Sequence, residues 1–186
     1  MQVEVDDAKR QALLAFAELV ASWGQRTDLV SARTPTDLVD VLFADALVLS
    51  TLIPANIEVG DVGAGAGAPA IPLAILRPDL SLVAIEPRRK RVMFMRTAIG
   101  KLGLGPRVRV EEGRVAEPAE RRFDAVFSRA TFEPETWLRI GNQLAPLVYV
   151  LLAGQDAPAM DGVRELEERH YASCRGVARS VAAYGE

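Results

Sequence analysis

The chain has 186 residues, 49% of them apolar and 25% charged, with a net charge of −3. This suits one globular domain with a sizeable core. No apolar stretch approaches the ~20 residues of a membrane-spanning helix, and the acidic opening segment lacks the basic flank and apolar run of a signal peptide. A cytoplasmic monomer is therefore expected, with no membrane contact. A single cysteine, Cys174, and a single histidine, His170, exclude an internal disulfide and a zinc site. So little histidine also argues against hydrolases and other acid–base enzymes.

The first ~55 residues read as two helices. Leu13, Phe16, Ala17, Val20 and Trp23 fall at helical spacing in the first. The second has a clear start: Thr34 is placed to cap it, Pro35 suits its first position, and Asp37 stands three residues after the cap. Leu38, Val41, Leu42, Ala46, Leu49 and Ile53 then form a broad apolar face that contains Asp45. A carboxylate there is either a satisfied core acid or a residue pointing into a site.

From residue 57 the pattern changes. Strands are expected at 57–62, 81–85, 107–111, 123–127 and 147–152, and helices from Pro69 to about residue 76, at 88–102 and at 134–144. Strands alternating with helices imply a parallel sheet wound by right-handed crossovers. Residues 165–174 and 177–184 suit a closing pair of strands. The expected organisation is one domain over residues 1–186, with a helical cap at 1–55 and an α/β core at 56–186. Charge is uneven along this core. Residues 87–122 hold eleven basic residues and four acids, which reads either as a polyanion site or as a solvated Arg-rich surface.

The strongest signal is the loop after the first strand, Asp61-Val62-Gly63-Ala64-Gly65-Ala66-Gly67. Its glycines permit a sharp turn and close approach of a ligand, and in open α/β sheets ligands bind beyond the carboxyl ends of the strands. Glu86 ends the second strand, where a carboxylate can accept hydrogen bonds from both hydroxyls of a ribose. Gly63, Gly65 and Ala68 also satisfy the dinucleotide pattern G-x-G-x-x-A, so a nicotinamide enzyme is a competing reading. Against it, the loop follows two helices, and the chain is short for a second, substrate-binding domain. Asp61 also sits where a pyrophosphate would be repelled, whereas a cationic sulfonium with an amino-acid tail would be favoured.

Residues 61–78, D-V-G-A-G-A-G-A-P-A-I-P-L-A-I-L-R-P, resemble the bacterial small-subunit rRNA guanine-N7 methyltransferases (RsmG, also called GidB). Further matches follow in order over roughly residues 12–156. Lys90-Arg91-Val92 with Phe94 is similar to the family's K-R-V-x-F, Gly113-Arg114-Val115 with Glu117 to its turn after the third strand, and Ser128-Arg129-Ala130 to its S-R-A. Asp28-Leu29-Val30 and Arg33 stand near the family's N-L-T and Arg. The resemblance implies a class I S-adenosylmethionine (SAM)-dependent methyltransferase fold: a seven-stranded, mostly parallel, Rossmann-like sheet with two extra N-terminal helices. It implies SAM as cofactor, S-adenosylhomocysteine as product, 16S rRNA or the small ribosomal subunit as partner, and no metal.

Gly63, Ala68, Glu86, Val115, Ala116 and Arg129 fall at the family's cofactor-binding positions, with Pro87 and Arg88 beside them. By that resemblance Gly63 and Gly65 frame the methionine moiety, Val115 and Ala116 flank the adenine, and Arg129 faces the cofactor carboxylate or the substrate mouth. A salt bridge to an acid is the alternative for Arg129. Guanine N7 has no proton to remove, so no catalytic base is required. Asp45 and Arg129 are the residues to consider for a direct role in the chemistry. The departures lie outside the cofactor loop. Val41 and Leu42 replace an Arg-His pair, Ala153 replaces a Lys, Asp28 replaces an Asn, and Ala68 is smaller than usual. Each missing cation removes a potential phosphate contact. The alternatives are therefore a SAM enzyme of this lineage with another acceptor, such as a small molecule, and an inactive SAM-binding protein.

Overall fold

The computed structural model describes residues 4–24, 29–32, 34–115, 119–174 and 176–185. Helices α1 (Asp7–Gly24) and α2 (Pro35–Leu52) come first. The expected start of α2 is present in full. Thr34 Oγ1 accepts the Asp37 amide at 3.1 Å, and an Asp37 carboxylate oxygen accepts the Thr34 amide at 3.0 Å. Two otherwise orphaned amides of the first turn are thereby satisfied.

The core then alternates as β1 (Glu58–Val62), α3 (Ala70–Leu76), β2 (Ser81–Glu86), α4 (Arg89–Lys101), β3 (Val108–Glu112), β4 (Ala125–Ser128), α5 (Pro134–Leu144), β5 (Leu147–Leu152), β6 (Arg164–Ala172) and β7 (Ala178–Gly185). Pro69 precedes α3 as its cap residue rather than opening it. All seven strands join one sheet in the order β3-β2-β1-β4-β5-β7-β6. The first five are parallel, and β7 runs antiparallel between β5 and β6.

This order determines which face each helix covers. The chain steps outward from β1 through β2 to β3, then returns to β4 on the other side of β1. Right-handed crossovers place α3 and α4 on one face and α5 on the other. Two apolar cores result. Phe16, Leu42, Leu73 and Phe94 belong to one, and Trp137, Leu138, Val126 and Tyr184 to the other. Every residue of α3 is buried, because α1 and α2 cover the side that the sheet does not. A short helix that is apolar all round is stable only in such a position.

Arg77 fastens the cap to the core. Its guanidinium is buried and donates to the carbonyls of Ser50 (2.9 Å), Ile53 (2.8 Å) and Pro54 (3.1 Å) at the end of α2. It also forks onto Asp79 at 2.7 and 2.6 Å, which holds that carboxyl down at about 2. Among the described residues, no helix is long and apolar enough to cross a membrane.

Candidate functional site

Strands β1 and β4 are adjacent, but their crossovers depart to opposite faces, so a crevice opens beyond their carboxyl ends. A cavity of about 540 Å³ lies there. The loop after β1 forms one wall with Gly63, Gly65 and Ala68, and the turn after β4 supplies Ser128, Arg129 and Thr131. The end of β5, α2, residues 29–31 and the β6–β7 hairpin close the remainder.

The glycine loop needs its glycines. Gly63, Gly65 and Gly67 have φ of +80°, +59° and +79°, a region that other residues enter only with strain. The Gly63 and Ala64 amides donate to the Ile85 carbonyl at 2.9 and 3.1 Å. A Cβ on Gly63 would overlap the Thr131 side chain, whereas at Gly65 the nearest atom is Arg91 Nη1 at 3.7 Å. Gly63 is thus held between β2 and the turn after β4, while a Cβ at Gly65 would make only ordinary contacts.

Glu86 organises the same loop. Its buried carboxylate accepts the Gly65 amide and the Arg88 amide, each at 2.9 Å. Two backbone donors orient it and leave lone pairs for further donors. Pro87 and Arg88 follow it as exposed residues, and Val115 packs on the core under α5. Ala116 and Glu117 lie outside the described residues, as do Asp28 and Arg33.

Asp61 is placed differently from a simple wall residue. It sits in β1 beneath the loop, 1% exposed, and accepts the Ala70 amide at the start of α3. Its Oδ2 has no hydrogen-bond partner among the described residues. Burial pushes its carboxyl up to about 7, with the positive charge of Arg129 pulling the other way. It is a buried acid poised to ionise when a cation approaches.

Arg129 and Asp45 meet on the cavity wall. Arg129 Nη1 donates to Asp45 Oδ2 at 2.9 Å and to the Val41 carbonyl at 2.6 Å. Tyr171 donates its hydroxyl to Asp45 Oδ1 at 2.6 Å, and burial together with that carboxylate pushes the phenol pKa upward. Arg179 reaches the same oxygen at 3.5 Å and pairs with Asp40 at 2.9 Å. Asp45 is thus a satisfied acid that also lines the site, and Arg129 has the salt bridge that was its alternative. Tyr171 and Arg179 escaped the sequence reading. Their only signal was membership of a closing hairpin, which does not say what the hairpin faces. With Arg91, the wall carries three guanidiniums against the one carboxylate of Asp45. No cluster of metal-ligating side chains exists among the described residues.

The profile of the GidB family, described as rRNA small subunit methyltransferase G, matches residues 9–181. The chain belongs to the GidB family. Curated GidB relatives agree with this. The ribosomal RNA small subunit methyltransferase G of Frankia casuarinae is 35% identical over 170 residues, covering 89% of this chain and 62% of that protein. Its counterpart in Anaeromyxobacter dehalogenans is 35% identical over 140 residues, covering 74% and 65%. The chain thus spans somewhat under two thirds of the length of these GidB relatives. Among solved structures, a SAM-dependent methyltransferase from Aquifex aeolicus superposes with a TM-score of 0.59 at 17% identity, covering 82% of this chain and 94% of that one. The m1A22 tRNA methyltransferase of B. subtilis gives 0.60 at 15% identity, covering 77% and 66%. At such identities the likeness concerns the fold, which is the class I SAM-dependent methyltransferase fold expected from the sequence.

Proposed function

We propose that this chain is a SAM-dependent methyltransferase acting on N7 of a guanine in 16S rRNA. It would work as a cytoplasmic monomer on the small subunit or its RNA, with the cap and α/β core forming one domain. The observation that carries this reading is membership of the GidB family over nearly the whole chain, joined to a cavity lined by the glycine loop, Arg91 and the Ser128–Ala130 turn. The residues fit a nucleoside cofactor with a cationic, amino-acid-bearing tail. The volume lies in the range of small-molecule sites, Gly65 lines the cavity, and among the described residues Asp61 keeps an unpartnered buried oxygen beneath the loop.

When bound, SAM supplies a sulfonium-activated methyl group and leaves as S-adenosylhomocysteine. Glu86 accepts hydrogen bonds from the ribose hydroxyls, with Pro87, Arg88 and Val115 on the nucleoside side. Gly63, Gly65 and Ala68 would hold the methionine portion, and Asp61 would offset its positive charge. Arg129, fixed by Asp45 and the Val41 carbonyl, shapes the acceptor side. Guanine N7 presents a lone pair and no proton, so a site without a free general base suffices. The chain contributes alignment of nucleophile and methyl carbon and exclusion of water, a form of catalysis that relies on proximity.

Val41 and Ala153 both line the cavity, where a phosphate-binding surface would be expected to carry cations. That favours, as a second reading, transfer to a different acceptor by the same lineage. The test is transfer of labelled methyl from SAM to small subunits lacking the modification. Incorporation at a guanine N7, lost in a folded Glu86→Ala variant, supports the first reading. Strong cofactor binding without an RNA product supports the second, and no cofactor binding refutes both.

A further inference from the structure

Two aromatic residues of the segment after β4, Phe132 and Trp137, line the cavity. Phe132 is half-buried, and Trp137 stacks against Phe132 with ring centroids 5.8 Å apart and 15° between the planes. Trp137 is 2% exposed and donates Nε1–H to the Tyr149 carbonyl at 2.9 Å, so the backing ring is fixed to β5. The pair also adjoins the glycine loop. Thr131, the residue before Phe132, directs its hydroxyl to the carbonyls of Arg129 (3.2 Å) and Gly63 (3.4 Å).

We propose that Phe132, braced by Trp137, is the stacking platform for the acceptor base, a purine presented by RNA. The inference rests on the preceding reading of the cavity as a methyl-transfer site. Trp137 braces the Phe132 ring in an offset, near-parallel stack, and Phe132 is half-buried and lines the cavity. A planar base needs an aromatic face, because stacking is the contact that every base offers. The neighbouring guanidiniums of Arg129 and Arg179 supply donors for a base edge or the phosphate backbone. Stacking fixes the plane of the base, and proximity to Gly63 places that plane beside the loop assigned to the methyl donor.

The test compares Phe132→Leu, which keeps apolar bulk but loses the flat face, with Phe132→Tyr, which keeps the face. Each is titrated calorimetrically with S-adenosylhomocysteine and assayed for KM and kcat on unmodified small subunits. In the leucine variant, cofactor affinity should stay within about two-fold of the unsubstituted protein while kcat/KM falls by about ten-fold or more. The tyrosine variant should recover most of that loss. A role confined to packing predicts instead that leucine is tolerated. Normal cofactor binding with unchanged kcat/KM in Phe132→Leu overturns this proposal alone, as does a parallel loss of cofactor affinity, which would assign Phe132 to the cofactor. No cofactor binding by the unsubstituted protein overturns the cavity reading as well.

Discussion

Asp61→Asn isolates the buried charge beneath the glycine loop. The carboxyl accepts the Ala70 amide and, among the described residues, leaves Oδ2 without a partner, so an asparagine keeps the acceptor and exchanges the ionisable oxygen for a neutral amide. In the folded protein this acid titrates at about 7, against 3.8 for an ordinary aspartate. Between those values the unfolded chain has lost its proton and the folded chain retains it. The native state then binds more protons, and stability falls as pH rises. At roughly 1.4 kcal/mol per pH unit, the difference reaches about 4 kcal/mol by pH 8 and vanishes below about pH 4. Urea unfolding of both proteins at several pH values measures it. The unpaired amide hydrogens of asparagine add a pH-independent penalty of about 1–3 kcal/mol. The diagnostic is therefore the pH slope of the difference between the two proteins, which should favour the variant increasingly from pH 4 to 8. A difference that stays constant over that range would refute the argument. The same reasoning predicts that binding of cationic SAM releases a proton near neutral pH, and that Asp61→Asn abolishes this release.

The two glycines of the loop should separate stability from binding. Gly63→Ala forces a Cβ into the Thr131 side chain at a φ of +80°, and should lower the unfolding free energy by about 2 kcal/mol or more. Gly65→Val meets no atom closer than 3.7 Å at its Cβ but has a φ of +59°, so it should cost about 1–2 kcal/mol, stay folded by circular dichroism and lose calorimetric binding of S-adenosylhomocysteine. Retained affinity would refute the assignment of that loop. Arg77→Met leaves three carbonyls at the end of α2 without their donor and should destabilise the protein by about 2–4 kcal/mol in thermal or urea unfolding. It should also flatten the acid limb of stability. With Arg77 present, Asp79 titrates at about 2 instead of 3.8, so its contribution is complete above the higher value and lost as pH falls through the lower.

Features governed by neighbouring residues were legible in the sequence. The Thr34–Pro35–Asp37 start of α2 follows from local capping chemistry, and alternating strands and helices gave a wound parallel sheet. The glycine loop and Glu86 declared themselves because special backbone conformations and strand-end carboxylates leave strong local signals. What joins distant segments was less visible. Asp45 left two readings open because its partners, Tyr171 and Arg179, lie more than a hundred residues away and across an antiparallel insertion. Asp61 was identified from the sign of its charge, but its burial beneath the loop depends on how α3 packs over β1. The Phe132–Trp137 pair gave no distinctive pattern, since two aromatics five residues apart are ordinary core residues until a cavity lies beside them.

The β6–β7 hairpin makes the wall around Asp45 depend on a segment synthesised long after Asp45 itself. Asp45 leaves the ribosome 126 residues before the tyrosine that donates to it, which at ~5–20 residues per second is a wait of several seconds or more. The five parallel strands and the glycine loop can be in place by then, but Val181 and Tyr184 are still missing from the two apolar cores, and the wall around Asp45 cannot close. A nascent or prematurely ended chain would carry the nucleoside side of the site without the clamp on its other side. The pocket is completed only once the hairpin has been made, which keeps a chain still lacking it from presenting a finished cavity.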